Sequence, residues 1–81
     1  MHHTPSVPLT LEEHREMGSE LRSIRSRMHK LCDLVVEIYK PNNQAAFNFC
    51  QAVDAVDRLC AEMQTQAAQD APDGHTEGIY T

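Results

Sequence analysis

The side chains with the greatest chemical capacity lie in one short run, His29, Cys32 and Asp33, with further thiols at Cys50 and Cys60. Imidazole, thiolate and carboxylate all bind metals, but a tetrahedral zinc site needs four ligands, usually spaced as Cys-x2-Cys or His-x3-His pairs. That spacing is absent, so no metal ligand and no cofactor is assigned. A bridge between Cys32 and Cys50 is not expected, because flanking positions of paired helices usually stand farther apart than the roughly 7 Å between α-carbons that a disulfide tolerates. An odd total of 3 cysteines, widely spaced, is not a disulfide framework. Reduced thiols and a cytoplasmic location follow as the default, with a metal- or redox-responsive helical protein as a minor alternative.

Catalysis finds no better footing. Ser19, Ser23 and Ser26 have no base placed to activate them, and the acids Glu12 and Glu13 are accounted for by helix capping. No enzyme is expected. The basic stretch of Arg22, Arg25, Arg27 and Lys30 spreads over heptad positions b, e, g and c, so it forms no single face, and no exposed aromatic is interleaved. With a formal net charge of -5, the chain lacks the basic footprint of a nucleic-acid binder. Arg25 is expected to face Asp57 across the flank, and Asp54 to pair with Arg58 one turn later.

These residues are positioned by a pair of seven-residue apolar patterns. Met17, Leu21, Ile24, Met28, Leu31, Val35 and Ile38 alternate in steps of four and three, as an apolar helical seam requires. Ala46, Phe49, Val53, Val56, Cys60, Met63 and Ala67 repeat the alternation. The series mirror one another about the Pro41–Asn43 turn, with Ile38 opposite Ala46, Leu31 opposite Val53 and Met17 opposite Ala67. That register sets positions a of each helix against positions d of the other, the arrangement of knobs-into-holes packing. The expected fold is all-α: a two-helix antiparallel hairpin, coiled-coil-like, dimerising into a four-helix bundle.

The boundaries follow from local chemistry. Residues 1–9 hold prolines and no periodicity and read as a flexible N-terminal arm. Thr10 with Glu13 forms a capping box that opens a helix over 10–40. Pro41 ends it, and Asn42 or Asn43 caps a second helix over 44–69 after a turn at 41–43. Gly18 should cost about 1 kcal/mol inside the first helix relative to alanine and marks a place to fray. His14, at position a, ends the apolar stripe. Residues 70–81 contain Pro72, Gly74 and Gly78 and read as a flexible acidic C-terminal tail. No apolar run has membrane length, so no membrane partner is expected.

A chain of 81 residues folded into two helices leaves apolar side chains uncovered. Leu34, Val36, Tyr39 and Phe47 lie around the turn and off the seam, while Ala52 and Leu59 extend the second stripe along positions g. These six are the candidate interface. A second copy of the chain is the expected partner and another protein's helix the lesser one, so function reduces to a self-associating interaction or assembly module. The alternative is a regulatory adaptor that inserts its tip, from Leu34 to Phe49, into a groove on another protein.

Overall fold

The capping box forms as its residue types require. Thr10 Oγ1 accepts from the Glu13 backbone N–H at 3.1 Å, and the Thr10 N–H donates to Glu13 Oε1 at 2.9 Å. From this start helix α1 runs over Leu11–Tyr39. It stops where Pro41 excludes helical geometry from the preceding residue. Lys40 takes φ 69° and ψ 156°, a region otherwise reserved for glycine. It is held there by its own N–H, bonded to the Val36 carbonyl at 2.9 Å, and by the Asn43 N–H, which returns to the Lys40 carbonyl at 3.1 Å. Asn43 then caps helix α2, Gln44–Asp70, its Oδ1 accepting from the Ala45 and Ala46 amides. The computed structural model describes residues 7–81, so most of the N-terminal arm, residues 1–6, lies outside it. Among the described residues there is no strand, and α1 packs antiparallel on α2 as a hairpin.

The helices meet in the expected antiparallel register but through a different face of α1. Positions a and d of α2 are covered, with Ala46, Val53, Cys60 and Ala67 buried and Phe49, Val56 and Met63 partly so. On α1 the covered series is His14, Gly18, Leu21, Arg25, Met28, Cys32 and Val35, which are positions a and e. The four d residues assigned to the internal seam are instead open: Met17 is 38% exposed, Ile24 47%, Leu31 50% and Ile38 59%. The cause is size. Gly18 and Cys32 at positions e are small and buried, as are Ala46, Cys60 and Ala67 at positions a of α2, so α1 can seat its e side on α2 and turn its longer d side chains outward.

The small side chains at Gly18 and Cys60 leave room on the e flank, and the chain fills it with its own end. Residues 70–81, expected to be a flexible tail, turn at Ala71–Gly74 and again at Thr76–Ile79 and run back between the helices. Ile79 and Tyr80 are buried there with Cys60 and Ala67, and Leu11, Leu21, Val56 and Met63 close around them. Apolar burial is what anchors a segment otherwise rich in breakers. Its tip requires Gly78, whose φ of 73° suits a residue without a Cβ. Gln64 ties the segment at both ends, its Nε2 donating to the Thr76 carbonyl and its Oε1 accepting the Tyr80 N–H at 2.9 Å.

Gly18 is therefore a contact residue. A Cβ at this position would overlap the Ile79 carbonyl oxygen and stand 2.7 Å from Ile79 Cγ2. In an isolated helix Gly18→Ala adds about 1 kcal/mol of stability. Here the Gly18→Ala variant is expected to keep or gain helicity by circular dichroism while its C-terminal segment becomes rapidly cleaved in limited proteolysis. A variant whose C-terminal segment stays protected would show that Ile79 does not dock over Gly18.

Candidate functional site

Among the described residues, the strongest chemical constellation lies at the foot of the hairpin. His14 and Tyr80 are fully buried. The Tyr80 hydroxyl lies 2.7 Å from His14 Nδ1 and Asp70 Oδ2 lies 2.9 Å from His14 Nε2, linking α1, the end of α2 and the returning segment. With the Nε2–H tautomer, Tyr80 donates to the imidazole and the imidazole donates to the carboxylate. Gln66 Nε2 donates to the second Asp70 oxygen at 2.7 Å. These partners, His14 first and Gln66 second, hold the Asp70 carboxyl below its usual pKa. Burial, followed by the nearby Asp70 charge, pushes the Tyr80 phenol above its usual value.

Carboxylate, imidazole and hydroxyl in that order resemble a nucleophile, its base and the base's orienter. The environment opposes such a role. A nucleophilic tyrosine needs a lowered pKa and access to a substrate, and Tyr80 has neither. The chain of bonds is a pin that satisfies every polar atom it buries: no side-chain nitrogen or oxygen buried among the described residues lacks a partner. Sequence inspection missed this pin because its members are distant in the chain. The available signal was a polar His14 at position a, level with Asp70 at position d of α2 in the mirror register.

The arginine run is partly consumed by the same segment. Arg22 Nε donates to the Gly18 carbonyl at 3.3 Å and its Nη1 reaches the Gly78 carbonyl at 3.5 Å, while Arg25 Nη2 donates to the Thr81 carbonyl at 3.2 Å. Arg25 therefore does not meet Asp57. That carboxylate instead accepts from His29 Nε2 at 2.9 Å, a half-exposed pair of small energetic weight. Asp54 and Arg58 do not form the expected ion pair, the ion pairs among the described residues being His14–Asp70 and His29–Asp57. With His29 engaged by Asp57, the run of His29, Cys32 and Asp33 does not converge. Among the described residues no group of three or more His, Cys, Asp or Glu side chains could hold a metal.

The candidate interface residues divide between opposite flanks. Val36, Tyr39 and Phe47 occupy positions b and e near the turn, on the flank that carries the C-terminal segment farther down; Tyr39 and Phe47 are exposed and Val36 half-buried. Leu34, Ala52 and Leu59 occupy positions g on the other flank, and all are exposed. The exposed Met17, Ile24, Leu31 and Ile38, at positions d, lie beside those g residues and lengthen that flank into an apolar stripe along α1. At its foot the stripe ends in a depression of about 290 Å³ lined by Leu9, Glu13, Glu16, Met17 and Glu20. The stripe carries no chemistry of its own; what it can do is bury apolar area against a partner. No helix among the described residues is long and apolar enough to cross a membrane.

The pin has a defined pH window. Asp70 has a lowered pKa in the folded chain, so its contribution is complete above the unfolded value of 3.8 and is lost as pH falls through the folded one. Tyr80 has a raised pKa, so its contribution is complete below the unfolded value of 10.0 and is lost as pH rises through the folded one. Amide exchange of residues 76–81 should be slow at neutral pH and accelerate at both extremes, with helicity lost later. Tyr80→Phe leaves His14 Nδ1 buried without its partner and should cost about 1–3 kcal/mol in chemical denaturation. An unchanged denaturation midpoint would remove the pin.

No family model, curated protein or solved structure matches this chain.

Proposed function

We propose that this chain is a small helical-hairpin interaction module whose partner is a second copy of itself, and that it serves assembly rather than catalysis. The observation that carries this reading is the periodic stripe of Met17, Ile24, Leu31 and Ile38, spaced by seven residues and exposed on a helix that is already packed through its other face. A seven-residue apolar repeat is the sequence form of a helix-to-helix seam, and among the described residues that seam has no internal partner. Leu34 and Leu59 widen it. A C2 pairing of the stripes would give a four-helix bundle, the arrangement in which a two-helix unit covers its remaining apolar face. The placement of the arginines against the C-terminal segment fits a protein partner better than nucleic acid, and a cytoplasmic location remains the accompanying expectation.

A regulatory adaptor is the second reading, and the observation that favours it is the apolar tip. Leu34, Tyr39 and Phe47 remain exposed beside the turn, where a groove on another protein could receive them.

Light scattering across a concentration series separates these readings, with a concentration-stable dimer expected for self-assembly. Leu31→Glu and Leu59→Glu alter side chains that are 50% and 41% exposed on the open flank. Each substitution removes two copies of an apolar side chain from a symmetric interface, at about 1.5–3 kcal/mol apiece, so dissociation should rise by roughly 10²- to 10⁴-fold. Both variants should keep monomeric hairpin helicity. A wild-type chain that stays monomeric throughout would overturn self-assembly and direct attention to the tip.

A further inference from the structure

Cys32 and Cys50 sit on facing e positions about two turns from the Pro41 bend, and the roll of α1 brings their sulfurs to 3.2 Å. Both are free thiols, Cys32 buried and Cys50 partly exposed. We propose that they form a dithiol site, oxidised by a low-molecular-weight disulfide such as oxidised glutathione to an intramolecular Cys32–Cys50 disulfide that clamps α1 to α2. The proposal does not rest on self-association, because the sulfurs lie on the flank opposite the apolar stripe.

The geometry supports it in several ways. A disulfide bond is about 2.05 Å long, so the sulfurs need to close by only about 1.2 Å, a movement within reach of side-chain rotation. They already approach one another across the hairpin, so no helix has to shift register. The segment closed by the bond, Asp33 to Phe49, contains the Pro41 turn and is folded back before oxidation. The third thiol, Cys60, is fully buried beneath Ile79 and Tyr80 and stands outside the pair.

The order of reaction follows from accessibility. Cys50, the more open sulfur, attacks as thiolate on one sulfur of oxidised glutathione. The glutathione S–S bond breaks, and one glutathione leaves as thiolate and takes up a proton. The sulfur of Cys32 then displaces the second glutathione from Cys50, releasing its own proton to that leaving group. Two protein thiols are oxidised to one disulfide and one oxidised glutathione is reduced to two thiols. Cys32 is slow to give up its proton, because the bond with Cys50, partial burial and the charges of Cys50, Asp33 and Asp54 push its pKa up to about 11.

The test uses the whole chain in buffers of fixed oxidised-to-reduced glutathione ratio, quenched by alkylation under denaturing conditions and mapped by mass spectrometry. The expected product is a single polypeptide with no covalent link to another chain, Cys32 joined to Cys50 and Cys60 alkylated, with a melting temperature raised on the order of 10 °C over the reduced chain. Cys32→Ser is expected to stop at the Cys50–glutathione mixed disulfide and Cys50→Ser to give no bridge, each at wild-type helicity. A wild-type chain that accumulates only mixed disulfides, links between chains through Cys50, or bridges with a lowered melting temperature would overturn the proposal. Should either serine variant lose helicity, the wild-type peptide map and melt decide the outcome alone.

Discussion

Helices approach as closely as the side chains between them permit, and in this chain several of the buried ones are small. Ala46, Cys60 and Ala67 lie fully buried along α2, and Gly18 and Cys32 lie buried on α1. With so little volume at these positions, the contact forms through positions a and e of α1 instead of a and d. The rest of the molecule follows from this rotation. It sets Cys32 beside Cys50, leaves room that the C-terminal segment fills, and leaves the long d side chains of α1 facing outward. Packing density rather than hydrophobicity alone decides which apolar residues are inside.

The returning segment turns a pair of helices into a three-layered foot. Two helices offer each other only a stripe, and a short chain buries too little surface to be stable on that basis. Ile79 and Tyr80 add apolar burial where α1 begins and α2 ends, the places where helices ordinarily fray. His14 and Asp70 then serve the fold in a way their polarity alone would not suggest, since the phenol, imidazole and carboxylate satisfy one another out of water. Among the described residues the opposite end of the hairpin has no such cover, and Tyr39 and Phe47 are exposed there.

Much of the architecture was legible in the residues because it is encoded locally. Thr10 with Glu13, Pro41 and Asn43 act within a turn of themselves, and the seven-residue repeat reports helix and register without reference to the rest of the chain. The face of contact was not legible. Heptad letters mark residues that prefer burial, but they do not say whether Gly18 and Cys32 will draw the axes to one side, which is a property of volumes summed across both helices. The same limit explains why Gly18 looked like a weakness, why Cys32 and Cys50 looked too distant to meet, and why the candidate interface was drawn around the turn while Met17, Ile24, Leu31 and Ile38 were spent on the internal seam. The C-terminal segment was hidden by its composition: Pro72, Gly74 and Gly78 signal turns, and turns are as useful for folding a segment back as for leaving it loose.

The contacts of Gly78, Ile79 and Tyr80 reach residues more than fifty positions earlier in the chain, at Arg22, Gly18 and His14. Those partners are far apart until the helices have closed, whereas each helix and the turn between them are built from neighbours. On loop-closure grounds the hairpin is expected to form before the segment docks. The same hierarchy holds in reverse within the native ensemble. Undocking would break the contacts of this segment and leave the bonds within both helices in place, so its opening is a local event, separable from unfolding of the hairpin.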